Sequence, residues 1–120
     1  MRALVLSVVM LLAACAATPR AAATPDGLDA IARDYVGLIL EIGEHEDGYV
    51  DAYYGPPEWA AAAKANPRSV ADLGQAAQAL TQRLQAVPEA GLDAESRQRG
   101  QYLMAHLSAA AARLRMIGGE

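Results

Sequence analysis

The sequence predicts an all-α fold with three main helices and one short helix. Three observations predict it. Apolar residues recur at steps of three and four over three separate stretches. Aromatic residues make up only 5% of the chain and Phe is absent, so a core must come from Ala, Leu, Ile and Val. Such a core suits closely packed helices better than a sandwich or barrel. Pro, Gly, Ser and Asp stand at the places where caps and stops belong.

The 120 residues suffice for one domain at most. The formal net charge is −4, and the 10 basic residues are scattered rather than clustered. That distribution excludes a nucleic-acid footprint. Cys15 is the single cysteine, so neither an internal disulfide nor a multi-cysteine zinc site is expected.

Residues 1–14 read as a lipoprotein signal peptide. Met1-Arg2 is a short positive start, and Ala3 to Leu12 is apolar apart from Ser7. This run is too short for a stable bilayer span, which takes about 20 apolar residues. It ends in Leu12-Ala13-Ala14-Cys15, which resembles the bacterial lipobox. There a branched apolar residue and two small ones precede the cysteine. The cysteine sulfur receives a thioether-linked diacylglycerol, and its freed amino group can then take a further acyl chain of the palmitate class. Two or three acyl chains hold a protein on a membrane durably, because each buried methylene contributes about 0.8 kcal/mol. The membrane, through lipid on Cys15, is therefore the first expected partner. By analogy with enteric sorting, Ala16 rather than Asp favours the periplasmic face of the outer membrane over the inner one. Residues 15–24 are small and polar with Pro19 and Arg20, as in a flexible tether.

Residues 25–120 form the helical region. Thr24-Pro25 is expected to cap the first helix, whose stripe is Leu28, Ile31, Tyr35, Leu38, Ile39 and Ile42. Gly43 and Gly48 mark its end. Tyr49 to Gly55 reads as loop or a single turn. Pro56-Pro57 forces extended backbone, after which Pro57 starts a short helix through Glu58 to Ala65. Asn66-Pro67 stops it. Ser69 caps the next helix, with Asp72 as capping-box partner and a stripe of Val70, Leu73, Ala77, Leu80, Leu84 and Val87. Pro88 and Gly91 end it. Asp93 caps a long helix from Ala94 to Ile117, lined by Leu103, Leu107, Ala110, Leu114 and Ile117. Gly100 and Ala111 are expected to allow close approach. Arg113 and Arg115 suit its negative end, and Gly118-Gly119 its stop.

Catalytic signals are sparse. His45-Glu46 begins like a His-Glu-x-x-His zinc motif, but position 49 is Tyr and His106 is far away in sequence. Glu41, Glu44, Glu46, Asp47 and Asp51 form an acidic cluster near a helix end, where solvation is the default over acid–base work. Ser69, Ser96 and Ser108 have no evident base. No catalytic residue, metal or cofactor is expected within the chain. The least generic stretch is Asp51-Ala52-Tyr53-Tyr54-Gly55-Pro56-Pro57-Glu58-Trp59. Its rings either pack a bend over helix ends or line a ligand groove or interface. Tyr49, Tyr53, Tyr54 and Trp59 are the candidate residues for the second role.

The run Gly43-Glu44-His45-Glu46-Asp47-Gly48-Tyr49-Val50-Asp51-Ala52-Tyr53-Tyr54-Gly55-Pro56-Pro57-Glu58-Trp59 resembles the N-terminal part of a bacterial family related to the domain-of-unknown-function 885 group. Arg113 to Glu120 is similar to its Arg-x-Arg-Met-x-x-Gly-Glu segment. The resemblance spans most of residues 28–120. It implies a large helical zinc peptidase, whose metal motif, a His-Glu followed by Pro-Gly-His-His, lies far downstream. No residue here matches that motif. The chain is thus expected to be the N-terminal helical portion of such a protein, packing on a missing C-terminal catalytic region. A stand-alone helical lipoprotein, acting as an envelope binding or interaction module, is the alternative.

Overall fold

The computed structural model describes residues 27–120. The expected signal peptide, Cys15, the tether, Thr24 and Pro25 lie outside the described residues. The rest is all-α: α1 (Leu28–Gly43), α2 (Pro57–Ala65), α3 (Val70–Gln85) and α4 (Ala94–Ile117). There is no strand among the described residues.

One helix start differs from expectation. The N-cap of α1 is Gly27, in extended conformation and without a side-chain cap, rather than Thr24. Glycine is an acceptable N-cap because the position asks for non-helical backbone. The other starts follow the sequence. Pro57 occupies the first turn of α2. Ser69 Oγ accepts from the Asp72 backbone N–H at 3.1 Å and donates to the Asp72 carboxylate at 2.7 Å. Asp93 accepts from the Ser96 N–H at 2.7 Å.

Three helices share one core. Leu28, Ile31, Leu38 and Ile42 of α1 meet Leu73, Ala77, Leu80 and Leu84 of α3 and Leu103, Leu107, Ala110 and Leu114 of α4. Each set recurs at steps of three, four or their sum of seven, so each helix turns one stripe inward. Tyr35, Ile39, Val70, Val87 and Ile117 pack at the rim of this core. Gly100 does lie under Leu28. A methyl added there would sit 3.8 Å from Leu28 Cδ2, an ordinary contact, so the approach does not demand glycine.

α2 is different. It packs on α1 alone, with Ala63 its one buried side chain. Leu40, outside the α1 core stripe, is also buried. It follows Gly37 by three residues and Arg33 by seven, which places it on the side of α1 that α2 covers.

The connection from α1 to α2 is a fitted turn. Gly48 has φ +80°, the left-handed region glycine enters without strain. Val50 folds back on Gly43, where a methyl would come 3.1 Å from Val50 Cγ2. Tyr53 Oη donates to the Pro56 carbonyl at 3.1 Å. Its ring lies so close over Gly55 that any side chain at 55 would overlap it.

Candidate functional site

Because α2 touches α1 and not α3, a groove opens between α2 and α3 with α1 as its floor. Its volume is about 560 Å³. These helices supply residues at helical spacing: Arg33, Gly37 and Glu41 from α1, Trp59, Ala62 and Ala63 from α2 with Asn66 at its C-cap, and Ala76, Ala79, Leu80 and Arg83 from α3. The walls are apolar and small. The ends are charged.

At one end Glu41 clasps Arg68, in the connection from α2 to α3. Arg68 Nε donates at 2.9 Å and its Nη2 at 2.7 Å, and its backbone N–H donates at 3.0 Å. His45 Nε2 donates to the Arg68 carbonyl at 2.6 Å, completing the clasp. Hydrogen bonds from Arg68 hold the Glu41 carboxyl below the usual glutamate range, against some loss from burial. At the other end Arg33 lies over the Trp59 ring, 5.1 Å from its centre. Beside it Arg83 Nη1 donates to Asp34 at 2.7 Å. Arg33 has no carboxylate partner among the described residues.

Gly37 sits at the middle of the floor. A glycine inside a helix costs about 0.5–1 kcal/mol relative to alanine. A methyl added at Gly37 would meet nothing within 4 Å. No contact inside the described chain requires the glycine.

The four aromatic candidates take separate places. Trp59 lines the groove. Tyr53 braces the bend over Gly55 and Pro56. Tyr54 is 95% exposed. Tyr49 packs against the core rim, where burial raises its pKa. Tyr35, which Tyr49 influences electrostatically, is two residues past Arg33, or about 200° around α1. Tyr49 and Trp59 therefore lie on opposite sides of that helix.

The acidic cluster is divided. Glu41 holds Arg68, while Glu46 takes both Nε and Nη2 of Arg113, tying the turn after α1 to α4. His106 is far from His45. It stands edge-on to Tyr35, with ring centres 6.2 Å apart, and beneath Tyr102 at 4.0 Å. Burial first, then Tyr49 and Tyr102, push the Tyr35 hydroxyl up to about 12. No group of three or more His, Cys, Asp or Glu side chains among the described residues is placed to hold a metal ion. No helix among them is long and apolar enough to cross a membrane.

Sequence reasoning offered Trp59 as a groove residue but missed where the groove lies and the parts taken in it by Arg33, Asp34, Gly37, Arg68 and Arg83. The readable signal was on α1, where Arg33, Gly37 and Glu41 repeat at steps of four on a second face. Comparison with protein-family models, with curated proteins and with solved structures finds no match to the chain.

Proposed function

We propose that the chain is an exported lipoprotein, held on the cell envelope by lipid on Cys15. In this reading its helices are the non-catalytic N-terminal portion of a zinc-peptidase-like protein. The observation that carries the proposal is Leu12-Ala13-Ala14-Cys15 at the end of an apolar run. The side chains best suited to acid–base work support the non-catalytic part. Glu41, Glu46 and His45 each join two elements of the fold, and His106 is packed between two tyrosines. Ala16 favours the outer membrane.

Labelling with radioactive palmitate tests the anchor. Cys15→Ser is expected to abolish the label and to release or mis-process the protein. Unchanged labelling overturns the lipoprotein reading. The peptidase relationship is tested at the DNA level. An in-frame or frameshifted His-Glu with Pro-Gly-His-His downstream of codon 120 supports it, and unrelated sequence there counts against it.

A second reading, a stand-alone envelope binding module, is favoured by the groove between α2 and α3. It shares the anchor and differs in needing no catalytic region.

A further inference from the structure

We propose that the groove over Gly37 is a docking site for an acidic peptide segment, with its apolar side chains on the floor and a carboxylate on Arg33. Three observations converge. The first is shape. α2 and α3 stand apart over α1, and the facing walls carry Ala62, Ala63, Ala76 and Ala79. Small side chains let a backbone approach closely.

The second is Gly37. Glycine is unfavourable in a helix interior, and here nothing within the described chain presses on it. A close neighbour outside the fold gives the residue a reason. Gly74 of α3 is equally uncrowded. The groove beside it differs, because there Arg115 pairs with Glu120 at 3.9 Å.

The third is charge. The groove is lined by Arg33, Arg68 and Arg83 beside Asp34 and Glu41, on a chain of net charge −4. Arg68 and Arg83 are engaged with Glu41 and Asp34. Arg33 is oriented by the Trp59 ring instead, and its fork of donors is available to a carboxylate. Arg33 and Glu41 are eight residues apart, so the floor between them runs about 12 Å. That length accommodates two helical turns or about four extended residues. An acidic side chain of the partner is attracted to Arg33 at one end and kept from Glu41 at the other, which sets its register.

The site needs neither the lipid nor a downstream catalytic region, so its failure leaves the proposed function standing, and the reverse also holds. Trp59, the only tryptophan, reports on it directly. The full chain in non-ionic detergent is titrated with the capped peptide acetyl-(Glu-Leu-Ala-Ala)3-amide, followed by tryptophan fluorescence. Analogues with Gln or Lys in place of Glu serve as probes of charge. The expected result is a saturable blue shift with the Glu peptide and binding at least tenfold weaker with Gln. The Lys peptide should give none. Arg33→Gln should weaken Glu-peptide binding about tenfold. Gly37→Leu should abolish it while leaving the melting temperature unchanged or higher, since a Cβ there meets nothing within 4 Å and leucine favours the helix over glycine. An absent or charge-independent shift overturns the proposal, as does full binding by Gly37→Leu. Dimerisation lost in Gly37→Leu, without a peptide response, would assign the groove to a second copy instead.

Discussion

Glu41 ties the end of α1 to the connection that launches α3. Its stabilising effect has a definite pH dependence. Arg68 holds the carboxyl below the ordinary value of 4.5. A carboxylate with a lowered folded pKa contributes fully above its unfolded pKa, and that contribution is lost as pH falls through the folded value. Glu41→Gln is expected to cost about 1 kcal/mol at neutral pH, because Arg68 is nearly half exposed and water screens the pair. In urea unfolding, the gap between wild type and variant should narrow as pH falls below the ordinary glutamate range. A gap that stays constant with pH would show that packing, not charge, is what Glu41 supplies. Ser69 and Asp93 were readable as caps because their partners lie three residues away. Glu41 was not readable as a clasp, because Arg68 is 27 residues distant and only folding brings it near.

At the scale of the element, α2 is the weakest part of the fold. It has nine residues, one buried side chain and contacts to α1 alone. An isolated helix below about 12 residues is marginal in water, so α2 depends on α1, on the Arg33–Trp59 contact and on the Arg68 clasp. Its amides are expected to exchange with solvent before those of α1, α3 and α4. Arg33→Ala should speed that exchange further. Protection in α2 equal to that in α3 would refute this ordering. The existence of α2 was legible in Pro57, which suits a first turn, and in Asn66-Pro67, which ends one. Its partner was not. The sequence of α2 is mostly alanine, which packs against many surfaces and specifies none.

At the scale of the whole molecule, the bundle rests on one core drawn equally from α1, α3 and α4. Leu107 lies at its centre with no exposed surface. Leu107→Ala is expected to cost about 3 kcal/mol, for the lost burial and the cavity left behind. Met116, on the same helix, is 60% exposed, and its change to Ala should cost less than about 0.5 kcal/mol. Similar losses at both sites would mean that α4 is oriented differently from its described packing.

The amino-acid sequence by itself determined the four helices and which face of the three long ones turns inward. These properties follow from neighbours within a turn or two, where the 3.6-residue period and the caps act. It also carries Leu12-Ala13-Ala14-Cys15, which we propose is a lipobox, a linear signal that would need no fold to be read. Only the tertiary structure decided that α2 would lie on α1 and stand clear of α3, and that the gap between them would become a groove. It also decided that the acidic cluster would divide between Arg68 and Arg113, while Trp59 and Tyr49 came to rest on opposite sides of α1. Those outcomes depend on contacts between residues far apart in the chain. The geometry of packing settles them, and no local pattern of residues encodes it.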